Sequence, residues 1–332
     1  MIRAYALLLL PLAGCLHLKL VDATVKKPSN VAVYFNVTDD KGIGVPNLTA
    51  DQFNIYEDGK LVSPFESKQT ILNPEISAVQ YTLLLMDMSG SVTSSGQAPV
   101  LADAASGFSE RVSKTQEVAV YAFDGAKEIH PMVGFTTGGG SVQGGINTLR
   151  NYKPRDPSTN LNGAVIEALA VLSKQMERAQ QPLRFGTLVV FTDGTDHAHR
   201  VSHDDLMKAL DDVGAQISVF VIGVGAEIDP GELHAIGRAG AVLSKNPAEV
   251  KAAFDKIAEQ VEAYTKSFYL LSYCSPARAA DHEVRVEAVA KGRGKGSLDY
   301  KFNANGFTPN CDPNTKPSFD VKRPKFRKQP ES

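Results

Sequence analysis

Between Val79 and Tyr264 the chain alternates two kinds of segment. One kind is a nearly unbroken apolar run: Val79–Met86, "EVAVYAF", "FGTLVVFT" and "QISVFVIGV". The other carries apolar residues every three or four positions, as in Val100, Leu101, Ala104, Ala105, Phe108 and Val112. A strand that is apolar on both faces must be covered on both, and amphipathic helices between such strands supply the cover. The alternation predicts an α/β fold with a doubly wound, mostly parallel sheet. Helices are expected at 98–113, in "GGINTLRNY", in "NGAVIEALAVLSKQM" and in "SHDDLMKALDDVG", where Ser202 is a fitting cap. Two more are expected in "PGELHAIGRAG", opened by Pro230, and in "PAEVKAAFDKIAEQVEAY".

The segments on either side read differently. "VAVYFNV" alternates with period two, "DDKG" is a turn, and "FNIYEDGKLV" is a hairpin turning at Glu57–Gly59, with "SKQTIL" as a further short strand. After Tyr264, "SFYLLSY", "HEVRVEAVA" and "SLDYKFNA" are again strands. The α/β block is thus inserted in, or flanked by, a small all-β module built from 30–75 and 266–311. Residues 15–29, mixed in character and containing Pro28, are expected to be a tether. Residues 312–332 hold four prolines, six Lys or Arg and three acids, and are expected to be a disordered basic tail.

The N-terminus, "MIRAYALLLLPLAGCLHL", has one early cation, Arg3, and an apolar run from Ala4 to Leu12. That run is too short for a membrane span and has the form of a signal peptide over residues 1–14. "LAGC" resembles the bacterial lipobox, in which the signal is cut before the Cys and that Cys carries lipid. The resemblance implies lipidation at Cys15 and places the mature chain in the bacterial cell envelope, at the outer membrane or the periplasmic face. Disulfides persist there. The two remaining thiols, Cys274 and Cys311, are expected to pair. The net charge of −2 speaks against a nucleic-acid partner.

Three segments at strand ends carry the chemistry. "MDMSGS" closes the first buried strand with Asp87, Ser89 and Ser91; Thr159 stands in "DPSTNLNG" just before a helix; Asp193 stands in "VVFTDG". In an open parallel sheet all three lie at the edge where ligands bind. Two carboxylates and three hydroxyls are hard oxygen donors. They suit Mg²⁺ that keeps some of its waters, and Mn²⁺ or Ca²⁺ on the same grounds.

In this order and setting, "DMSGS", Thr159 and "TDG" resemble the metal-ion-dependent adhesion site of von Willebrand factor type A domains, with all five ligand positions present. The likeness spans residues 78–265. It implies a metal held by Asp87, Ser89, Ser91, Thr159 and Asp193, in part through water, with one position open for an Asp or Glu carboxylate of a protein partner. The flanks, "VTDDKGIGVPNLTADQFNIYEDGKLV", "SFYLLSY" and "HEVRVEAV", are similar to bacterial von Willebrand factor A-related proteins known chiefly from acidobacterial genomes. That group implies no activity.

Other features weigh less. His197 and His199 in "DHAHR" are better placed as rim residues than as ligands of a second metal. "GVG" at 223–225 lacks the third glycine of a dinucleotide fingerprint, and "GGG" at 138–140 is followed by no Lys-Ser/Thr. Ser89 and Ser91 lack the first glycine of a hydrolase elbow, and the sequence places none of His130, His197 and His199 as their base. The expected function is therefore metal-dependent binding of a protein partner by a lipid-anchored envelope protein that is not an enzyme. A metal-independent scaffold is the alternative, and a hydrolase ranks below it.

Overall fold

The computed structural model describes residues 15–225 and 228–320, which divide into two compact units. One unit joins the chain before Pro74 to Lys266–Phe319; the other runs from Glu75 to Thr265. The expectations placed on residues 1–14 and on 321–332 lie outside the described residues.

In chain order the strands of the first unit are β1 (His17–Lys26), β2 (Asn30–Thr38), β3 (Phe53–Glu57), β4 (Lys60–Leu61) and β5 (Thr70–Leu72). The second unit follows with β6 (Ala78–Asp87), α1 (Gly90–Ser94), α2 (Ala98–Val112), β7 (Glu117–Phe123), β8 (His130–Thr136) and α3 (Gly139–Asn147). It continues with α4 (Leu161–Arg178), β9 (Leu183–Thr192), α5 (His203–Val213), β10 (Ile217–Val224), α6 (Pro230–Ile236), β11 (Gly240–Ser244) and α7 (Val250–Thr265). The chain then returns to the first unit through β12 (Phe268–Cys274), β13 (Asp281–Ala290) and β14 (Gly294–Asn303).

The α/β unit holds a six-stranded sheet of order β11-β10-β9-β6-β7-β8. All neighbours are parallel except β7 and β8. Side chains of β6 alternate between the two faces. Leu84 and Met86 join the cluster under α2, α3 and α7; Leu83 and Leu85 join the one under α4, α5 and α6. All ten residues of β9 are buried, as a central strand covered on both sides must be. Ser202 caps α5 by accepting the Asp205 N–H, and Asp229 caps α6. The two edge strands β8 and β11 were not legible in the sequence. β8 is half exposed and broken by Pro131 and Gly134, and β11 offers only three apolar residues in a row, Ala241–Leu243, none of them fully buried, too short a run to stand out.

The β unit is two four-stranded sheets, β1-β2-β12-β5 and β14-β13-β3-β4, sharing one core that includes Val33, Phe35, Phe53, Ile55, Leu271, Tyr273, Val284 and Val286. A disulfide joins Cys274 at the end of β12 to Cys311.

Two expectations are corrected here. Residues 15–29 are not a tether: β1 pairs antiparallel with β2 over its whole length. A bulge between Leu20 and Asp22 hid the strand. Leu16 and Leu18 face the core before it, Ala23 and Val25 after it, so the alternation changes parity midway. The tail does not begin at 312 either. Residues 312–320 are irregular but packed: Phe319 is buried against the edge of Tyr34, Ser272 donates to the Pro313 carbonyl, and Thr24 donates to that of Ser318.

Candidate functional site

Strand β6 ends at Asp87, which is fully buried. Its Oδ1 accepts the Ser89 N–H at 3.0 Å and its Oδ2 accepts the Thr192 hydroxyl at 2.8 Å. Ser89, also fully buried, sits at the N-cap of α1, yet its hydroxyl does not cap that helix. It lies 3.1 Å from the Ser91 hydroxyl, which donates to Asp193 Oδ1 at 3.0 Å. Four of the five predicted residues thus form one hydrogen-bonded cluster at the C-terminal edge of β6 and β9.

Thr159 reaches the same edge through its backbone. Its carbonyl accepts the N–H groups of His197 and Ala198, both at 2.9 Å, and two residues earlier the Pro157 carbonyl accepts the Gly90 N–H at 2.8 Å. The loop carrying Thr159 is therefore tied to both of the loops that carry the other four. Gly90 allows that approach, since a Cβ there would lie 2.9 Å from Pro157 Cβ.

Sequence reasoning missed the groups that hold these loops. Asp124, fully buried at the end of β7, accepts the N–H groups of Ala126 and Arg155, both at 2.8 Å, and the Tyr152 hydroxyl at 3.1 Å. Asp156 accepts both the N–H and the hydroxyl of Ser158, and Arg200 bridges Asp156 to the Gly125 carbonyl. Asp196 accepts the N–H groups of Asn162 and His199. A usable signal existed. Asp87, Asp124 and Asp156 each bond an N–H two residues on, the Asx-turn habit of aspartate, the first two at strand ends and the third within the loop before α4. Gly225 also matters more than its motif suggested. A Cβ there would lie 2.6 Å from the Asp193 carbonyl, so the glycine of "GVG" makes room for a site residue.

The His197 N–H donates to the Thr159 carbonyl and the His199 N–H to Asp196 Oδ2. His199 has a positive φ of 48° and an exposed ring, and it borders a cleft of about 840 Å³ lined also by Asp196, His203, Asp229 and Glu232. Among the described residues no group of three or more His, Cys, Asp and Glu side chains is placed to share a metal. The hydroxyl-rich cluster at Asp87 is a different donor set.

The cluster gathers negative charge in a buried place. Burial, then the charge of Asp193, pushes the Asp87 carboxyl up to about 7, against smaller downward pulls from its bonds to Ser89 and Thr192. None of these influences is a cationic side chain. Two acidic groups and the Ser89 and Ser91 hydroxyls, buried at Asp87 and Ser89 and open to solvent at Ser91, fit a hard divalent ion, which would neutralise the carboxylates and take up the hydroxyl oxygens.

A pH dependence follows, with its sign. Asp87 titrates higher in the folded chain than its ordinary 3.8, so the folded state favours the protonated form. Without metal, the stability due to this group is full below pH 4 and is lost as pH rises through about 7. The loss is on the order of 4 kcal/mol, because raising a carboxyl tenfold in proton affinity corresponds to about 1.4 kcal/mol. Denaturant unfolding in chelator checks it: from pH 5 to pH 8 about 3 kcal/mol of this is expected to go, two pH units at about 1.4 kcal/mol each, and the Asp87→Asn chain is expected to lose this component.

Residues 82–195 match the family model described as von Willebrand factor type A domain, a stretch that encloses all five positions from Asp87 to Asp193. The chain carries a domain of this family, whose proteins generally bind or scaffold and commonly use a divalent metal at such a site. No curated protein matches the chain. Among solved structures, a von Willebrand factor type A protein from Catenulispora acidiphila is similar at 11% identity and a TM-score of 0.47, over 90% of this chain and 75% of that one. The vWF domain of the type V pili tip protein Mfa5 from Porphyromonas gingivalis is similar at 10% identity and a TM-score of 0.42, over 56% of this chain and 96% of that one. Proximal thread matrix protein 1 from the mussel byssus, with a zinc-occupied MIDAS motif, is similar at 13% identity and a TM-score of 0.42, over 63% of this chain and 49% of that one.

Proposed function

We propose that this chain is a lipid-anchored protein of the bacterial cell envelope that binds a protein partner through a divalent metal, Mg²⁺ in the first instance. Asp87, Ser89, Ser91, Thr159 and Asp193 would hold the ion. The ion supplies a Lewis-acid position for an Asp or Glu carboxylate of the partner. The observation that carries this reading is the buried Asp87 carboxyl, pressed by Asp193 and surrounded by hydroxyls. The chain's own residues do the rest. Asp124, Asp156 and Arg200 hold the loops, and Gly90 and Gly225 allow their close approach.

Binding is favoured over catalysis. Ser89 is fully buried and its hydroxyl faces Ser91. A nucleophile needs access to substrate and a base within hydrogen-bond reach. A metal-free scaffold is the second reading, because Asp87 and Asp193 already accept hydroxyl bonds from Thr192 and Ser91.

A pull-down from envelope extract with the mature full chain separates the two. It is run in Mg²⁺, in chelator, and with Asp193→Ala. A partner held only by the wild type in Mg²⁺ supports the metal site. The same partners in all three arms replace it with the scaffold.

A further inference from the structure

Cys15 is an exposed residue joined without slack to the folded β unit. Leu16, next in sequence, is buried, and its N–H donates to the Lys295 carbonyl at 3.0 Å. The fit is close: a Cβ on Gly296 would meet the Leu16 carbonyl oxygen at 1.8 Å. The Cys15 N–H donates to both oxygens of Asp40 at 3.1 Å, and a freed amino group after signal cleavage would keep that acceptor. A lipid on Cys15 would therefore enter the bilayer right beside the β13–β14 hairpin tip and the 39–44 turn.

That end of the β unit has the composition of a membrane-facing surface. The hairpin tip, "KGRGK", presents Lys291, Arg293 and Lys295, and the neighbouring turn presents Lys41. Two of the few exposed large aliphatic residues among those described stand here as well. Val289 pairs in register with Lys295, and Ile43 closes the turn that contains Asp40. Three acids stand nearby and offset part of the positive charge: Asp39 accepts N–H groups within its own turn, Asp40 accepts from Cys15, and Glu287 lies 3.8 Å from the Lys295 ammonium. Cations around exposed aliphatic side chains suit the headgroup layer, where phosphate takes the charge and the aliphatic tips leave water.

We propose that this end of the β unit, with Lys41, Ile43, Val289, Lys291, Arg293 and Lys295 around Cys15, rests directly on the phosphate headgroups of the membrane that receives the lipid. The inference rests on the lipid-anchor reading given under the proposed function. Acylation holds the tip at the surface, and each nearby Lys or Arg adds attraction to anionic lipid. The β unit then has one face pinned to the bilayer, instead of swinging on a linker.

The test uses the mature full chain purified from a lipoprotein-processing bacterium. It is reconstituted in vesicles of equal parts phosphatidylcholine and phosphatidylglycerol, or kept in nonionic detergent. Mass spectrometry reads the modification of Cys15 and the rate at which an amine-reactive probe labels each lysine. Lys60, exposed on β4 and joined through Glu57 to Val284 at the far end of β13, is the control. Labelling of Lys291 and Lys295 is expected to be at least about tenfold slower in vesicles than in detergent, with Lys60 unchanged. An acylated Cys15 with unprotected Lys291 and Lys295 overturns this inference and leaves the anchor standing. An unmodified Cys15 overturns the anchor and this inference with it.

Discussion

In saturating Mg²⁺ the α/β unit is expected to unfold at a distinctly higher temperature than in chelator, and the Asp193→Ala chain is expected to show no such difference. A ligand that binds only the folded state stabilises it by about 2.7 kcal/mol at a hundred times its dissociation constant. For a unit of this size that is roughly 5–10 °C in melting temperature. The variants differ in an instructive way. Asp87→Asn removes the buried charge that Asp193 opposes, while the Thr192 hydroxyl keeps the Gly194 carbonyl as an acceptor. In chelator at neutral pH this chain should therefore be more stable than the wild type, and Mg²⁺ should not raise it further. A differential-scanning series with both variants, with and without metal, is the measurement. A wild-type chain indifferent to Mg²⁺, Mn²⁺ and Ca²⁺ would sink the metal reading and favour the scaffold.

The second large effect belongs to the β unit. Replacing Cys274 and Cys311 together with Ala is expected to lower its stability by about 4 kcal/mol, the loop-entropy value for a closure of this length. The bridge spans 37 residues and ties the stretch before 312–319 to the end of β12. Without it, the buried Phe319 and the Ser272 bond to Pro313 must hold that segment alone. Denaturant unfolding gives the magnitude. Hydrogen exchange at the amides of β12 and β2, strand neighbours in register from Phe268 to Cys274, gives the location. Unchanged exchange in these strands would show that the segment is held without the bridge.

The parts of the fold that could be read from the residues are those whose environment is uniform. β6, β9 and β10 are buried on both faces, so nearly every position is apolar and no register need be known. The helices α2, α4, α5 and α7 bury one stripe each, and the stripe is visible as spacing. The edge strands β8 and β11 have no such uniform setting. β1 has an alternation, but its bulge reverses the alternation halfway.

The site divides along the same line. That Asp87, Ser89, Ser91 and Asp193 come together was legible because strand ends of a parallel sheet converge, and donor type is a property of the residue; Thr159 reaches them through its backbone. The partners that hold them were not legible. That Asp124 fastens the loop before Thr159, that Arg200 spans Asp156 and Gly125, and that Gly225 yields space to the Asp193 carbonyl are long-range facts. The sequence by itself determined the layered α/β architecture, the flanking β pieces and the chemistry of the donor set, because local burial and residue type dictate them. Only the tertiary structure decided that the N-terminal segment is a strand locked beside Lys295, that residues 312–320 are packed, and that Asp87 is desolvated next to a second charge. Each of these depends on groups far apart in the chain being brought together, and periodicity carries no record of that.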